Sequence, residues 1–101
     1  MDVQDTVLFG KYHLCRIIGK GRTGTVYLAR HISLGEYRAI KEVSKTHIDY
    51  EQFRREALIM KELRHPAIPI VYDLEETETH CYLIEEFLEG ESLTALALDR
   101  S

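Results

Sequence analysis

The sequence predicts an α+β fold, a five-stranded antiparallel sheet with one long helix on it. Three observations carry this. Five segments rich in β-branched and aromatic residues are separated by glycine or polar turns. One segment switches to a helical period, with Phe53, Ala57, Met60 and Leu63 at steps of four, three and three. Strands lie on both sides of that helix along the chain, an order that places it on one face of the sheet.

Tyr12 to Ile18 reads as the first strand and ends at Gly19. The segment GKGRTG follows, with the glycines a hairpin loop needs. Thr25 to Arg30 is the second strand, Ser33 to Glu36 the next turn, and Tyr37 to Val43 the third strand. The helix is placed at about 49–64. Asp49 with Gln52 resembles a capping box. Arg64 and His65 suit the last turn, and Pro66 blocks continuation. Ile70 to Leu74 and His80 to Phe87 are the last two strands, joined by the polar turn EETET. Gly90 breaks the chain, and Ser92 can cap a short helix over LTALALDR.

The 101 residues suit one small domain, with 45% hydrophobic and 30% charged residues in an ordinary globular mix. The net charge of −4 argues against a nucleic-acid partner, which would want a basic excess on one face. Cys15 and Cys81 lack CxxC spacing, which excludes a zinc knuckle or a disulfide framework. Both lie in apolar runs and read as buried free thiols of a reducing compartment. The five histidines show no ligand spacing, so no metal site is expected from them. No apolar stretch approaches a membrane span, and Met1 to Phe9 lacks a basic signal-peptide start. A cytoplasmic setting is expected, with room for a membrane anchor outside this chain.

Gly19-x-Gly21-x-x-Gly24 could cradle phosphate, because glycines let backbone N–H groups approach phosphate oxygens. A dinucleotide fingerprint needs a helix after the third glycine, but Thr-Val-Tyr-Leu favours a strand. A Walker A loop lacks its closing Gly-Lys-Ser/Thr. The loop alone is compatible with a plain flexible hairpin. Lys41 lies in the third strand between Ile40 and Val43, and can face inward or to solvent. A buried ammonium needs a partner, and Glu56, near the apolar helix face, can supply one.

In this order and spacing, the chain resembles the N-terminal lobe of eukaryotic-type protein kinases, most like the bacterial Ser/Thr kinases. The matching text is IIGKGRTGTVYLAR, AIKEV, FRREALIMKELRHPAIPIVYDLEE and YLIEEFLEGESL, from about Phe9 to the end. The resemblance implies a divided chain. Residues 1–9 are an N-terminal extension, 10–91 the lobe, and 92–101 the start of a helix leading to an absent C-terminal lobe.

It also implies roles. Gly19, Gly21 and Gly24 cover the ATP phosphates. Ile18, Val26 and Ala39 roof the adenine. Lys41 contacts the α- and β-phosphates and pairs with Glu56 of the long helix, called helix C in the family. Fifteen residues separate Lys41 from Glu56, a short spacing that implies a trimmed connection into the helix. Glu86 and Leu88 offer backbone hydrogen bonds to adenine. Glu85 falls at the gatekeeper position, usually apolar or threonine. Strand alternation groups it with Leu83 and Phe87, so it is expected to border the back of the nucleotide pocket, compensated by Lys41 or water. The alternative is a one-residue slip that turns it to solvent.

No H-R-D catalytic loop and no D-F-G aspartate occur in the chain. The resemblance therefore implies the ATP-binding part of a serine/threonine protein kinase, inactive by itself. Its Mg2+ ligands would lie in the missing lobe. The expected partners are ATP, the protein substrate of the parent, the missing C-terminal lobe, and a second copy through the N-terminal lobe. A pseudokinase lobe or a regulatory protein-binding module is the alternative. A stand-alone lobe that binds a basic partner through its glutamates is a weaker third.

Overall fold

The computed structural model describes residues 5–22, 24–63 and 69–88. Among these the elements are β1 (Val7–Leu8), β2 (Tyr12–Lys20), β3 (Gly24–His31), β4 (Tyr37–Ser44), α1 (Tyr50–Glu62), β5 (Val71–Glu76) and β6 (His80–Glu86). They form one antiparallel sheet in the order β1-β2-β3-β4-β6-β5, with α1 resting chiefly against β5. None of the described helices is long and apolar enough to cross a membrane.

The predicted α+β architecture is present with a correction, six strands instead of five. The extra strand, β1, pairs Val7 with His13 and Leu8 with Tyr12. Phe9 and Gly10 turn the chain with φ of 54° and 66°, and the Lys11 N–H closes the turn onto the Leu8 carbonyl at 3.0 Å. Positive φ at two consecutive residues suits a tight hairpin, and it strains a phenylalanine. The Phe9 ring offsets that strain by packing edge-on against Tyr82, with centroids 5.2 Å apart.

Cross-strand partners point to the same side of a sheet. The registers therefore sort β3, β4 and β6 into two faces. Val26, Lys41 and Leu83 line up on one face, with Ala39 and Glu85 beside them. Tyr27, Ile40 and Ile84 line up on the other, with Glu42 and Tyr82 beside them. That second face carries the larger core, Tyr12, Leu14, Ala29, Ile40, Tyr82 and Ile84. Within it the Glu42 carboxylate accepts hydrogen bonds from the Tyr27 hydroxyl at 3.0 Å and the Tyr82 hydroxyl at 2.8 Å. Burial, and then the adjacent carboxylate, push the Tyr27 phenol up to about 12. Burial likewise raises Tyr82, which remains a neutral donor.

α1 packs on the first face through Ala57, which touches Val71 and Leu83, with Phe53, Met60 and Leu74 around them. The predicted stripe holds at three of its four positions. Leu63 is 45% exposed, because the helix stops at Glu62 and Leu63 takes an extended conformation. Arg64, His65 and Pro66, read as the helix end, lie outside the described residues, as does the Ser92 helix. Asp49 caps the helix as predicted. Its Oδ1 accepts from the Glu51 N–H at 3.0 Å and the Gln52 N–H at 3.4 Å. Asp49→Ala is expected to cost about 1 kcal/mol, read as a lower midpoint in urea unfolding.

Cys81 is fully buried, as expected, but Cys15 is half-buried. The register shift in β2 between Leu14 and Arg16 leaves Cys15 unpaired with β3.

Candidate functional site

The glycine segment forms the tip of the β2–β3 hairpin. Gly19 pairs with Val26 and Lys20 with Thr25, and the Gly21 N–H donates to the Gly24 carbonyl at 2.9 Å. The third glycine opens a strand rather than a helix, as the β-branched residues after it predict. Gly24 also has a reason to be glycine that spacing does not reveal. A Cβ there would run into the backbone carbonyl of Glu42 on β4. That carbonyl is backbone rather than the end of a flexible side chain, so the ladder itself would have to move. Gly24→Ala is expected to destabilise the fold by about 1–3 kcal/mol, seen as a lowered denaturation midpoint.

Ile18, half-buried near the end of β2, packs on the buried Val26 and Ala39. These three make a small apolar patch behind the glycine tip. It is separate from the two larger clusters, and it lies on the sheet face that carries Lys41.

Lys41 is half-buried on β4, with Val26 opposite it on β3 and Leu83 opposite it on β6. Glu85 is two residues beyond Leu83 and pairs with Ala39, so it is the diagonal neighbour of Lys41 on the same face. A diagonal of this kind spans roughly 7–8 Å between backbones, within reach of two long side chains. Only 6% of Glu85 is exposed, so the expected inward orientation is the observed one and the one-residue slip is excluded. Glu56 lies on α1, one residue before Ala57, with its side chain exposed.

These groups are electrically coupled. Burial holds the Lys41 ammonium below the usual lysine value, and Glu85 first and Glu56 second pull it back up. Burial pushes the Glu85 carboxyl up to about 7, with Lys41 opposing the rise. The sequence named Lys41 and Glu56 as the pair. The structure adds a second carboxylate, which the sequence placed nearby without ranking it.

At the C-terminal end of β6, the Glu86 N–H donates to the Ile70 carbonyl at 2.7 Å. That donor is therefore committed within the sheet. Leu88 follows, half-buried, beyond the end of the strand. Among the described residues no group of three or more His, Cys, Asp or Glu side chains could hold a metal ion.

A family model described as a protein kinase domain matches residues 12–101. The chain is 38% identical over 98 residues to CBL-interacting serine/threonine-protein kinase 5 of Arabidopsis thaliana, covering 92% of this chain and 22% of that protein. It is 39% identical over 94 residues to serine/threonine-protein kinase pkn2 of Myxococcus xanthus, covering 86% of this chain and 11% of that protein. It is 44% identical over 84 residues to a serine/threonine-protein kinase SIK3 homolog of Danio rerio, covering 80% and 7%. The chain thus spans about a fifth or less of the length of these relatives.

Proposed function

Because the chain belongs to the protein kinase domain family, in which it forms the N-terminal lobe, we propose that it grips ATP for a serine/threonine protein kinase. The carrying observation is one sheet face. It sets a half-buried lysine beside an apolar patch and behind a glycine hairpin tip.

In this reading residues 10–91 are the lobe. Gly19, Gly21 and Gly24 bring backbone N–H groups over the phosphates. Ile18, Val26 and Ala39 exclude water above the adenine. Glu86 and Leu88 meet the adenine edge through their backbones, and Glu85 borders the pocket behind them. Lys41 fixes the α- and β-phosphates as a point charge, oriented by Glu56. Positioning and charge neutralisation are the protein's contribution to phosphoryl transfer.

Magnesium would supply charge neutralisation at the phosphates when bound, and the residues that would hold it, like the catalytic base, are expected in the remaining lobe of the kinase domain. The lobe alone should therefore be inactive. Its partners in this reading are ATP, a protein substrate, the remaining lobe of the kinase domain and a second copy of the lobe, in a cytoplasmic setting. The test is transfer of the γ-phosphoryl of labelled ATP to protein serine or threonine by the intact protein. Label appearing on hydroxyl side chains supports the reading, and label that never leaves the nucleotide overturns it.

A further inference from the structure

Within the nucleotide-site reading, on which this inference rests, we infer that Glu85 is the sheet-borne counter-ion of Lys41, a positioning residue that yields the ammonium when nucleotide phosphate arrives. Three observations point there. The β4–β6 register fixes Glu85 as the diagonal neighbour of Lys41, on a strand flanked on both sides by other strands. Glu85 is buried while Glu56 is exposed, so the Lys41–Glu85 interaction is the less screened of the two. Glu85 also acts on the Lys41 charge ahead of Glu56.

The charges around Glu85 are few. β4 presents Lys41, while Arg38 and Glu42 belong to the opposite face. β5 presents Val71 at the Glu85 position and Glu76, bridged to Lys45, opposite Cys81, while Asp73 and Glu75 pair with Ile84 and Tyr82 on the other face. α1 presents Glu56. On β6 itself Cys81 shares the face, and its thiol is raised by burial. Lys41 is thus the cation that acts on Glu85, while Lys45 is held by Glu76 toward the Cys81 end of the face.

The proton balance follows from that pairing. With Lys41 beside it, the Glu85 carboxyl titrates at about 7, so near neutrality it is partly ionised. Phosphate drawn to Lys41 removes its compensation and adds negative charge nearby. The buried carboxylate then binds a proton from solvent and becomes a neutral acid. Nucleotide binding is coupled to proton uptake at Glu85, and it weakens as pH rises above 7, where that proton is scarcer.

The test uses the intact protein. The Lys41 ammonium is titrated by NMR in wild type, Glu85→Gln and Glu56→Gln. Glu85→Gln is expected to lower its pKa by about one unit, and Glu56→Gln by less. Calorimetric titration with metal-free ADP near pH 7, in two buffers of different ionisation enthalpy, counts protons. Wild type is expected to take up about half a proton more per nucleotide than Glu85→Gln. A Lys41 titration untouched by Glu85→Gln, or moved more by Glu56→Gln, overturns the assignment, as does equal proton uptake in wild type and Glu85→Gln. If Lys41 responds to Glu85→Gln but wild type binds no ADP, the nucleotide reading fails while the pairing of Lys41 with Glu85 stands.

Discussion

Lys41→Met is expected to cut phosphoryl transfer by the intact protein about 10²–10³-fold, the usual cost of removing one preorganised charge from a reacting centre. The fold should not suffer. Lys41 sits between Val26 and Leu83 on a half-buried face, and methionine has a similar length without an ammonium to desolvate. Thermal melting run beside the transfer assay separates the two effects. A collapsed rate with an unchanged or raised melting temperature supports the phosphate-gripping role. An unchanged rate would remove Lys41 from the site altogether.

Ile84→Ala is expected to be the most destabilising single truncation, at about 2–5 kcal/mol. Ile84 is fully buried on β6, pairs with Ile40, and joins the cluster that holds Tyr12, Leu14, Ala29 and Tyr82. Strands cover both edges of β6, so little can move in to fill the void. Such a loss is a large share of the roughly 5–15 kcal/mol that holds a domain folded. Urea unfolding reads it directly. Ile59→Ala, at a side chain 57% exposed on α1, should stay within about 0.5 kcal/mol and serves as the reference.

The elements legible in the sequence are those with a long periodic signal. β2 to β6 and α1 fall where the β-formers and the 4-3-3 spacing place them, with ends displaced by one or two residues. Two-residue β1 offers no period, and its turn is built from Phe9 and Gly10 rather than Asn-Gly, so nothing local announces it. Leu63 misleads because periodicity cannot see where a helix stops.

The candidate site was legible as a set of residue types, while its internal geometry was not. Strand alternation alone was enough to turn Glu85 inward. Its rank beside Lys41 depends on the β4–β6 register, which joins residues more than forty positions apart and leaves no local trace. Gly24 shows the same limit. Its loop role can be read from spacing, whereas its close approach to Glu42 exists only once β3 lies against β4.

The placement of α1 has a mechanical consequence. The sheet behaves as a stiff plate, cross-tied on one side by the Glu42 carboxylate gripping hydroxyls from β3 and β6. The helix is a lever clipped to one edge of that plate, chiefly along β5 and through the single fully packed residue Ala57. A push on the lever is absorbed at the clip and leaves the plate undeformed. The distance from Lys41 to Glu56 is then the compliant coordinate of the lobe, and the distance from Lys41 to Glu85 is the rigid one.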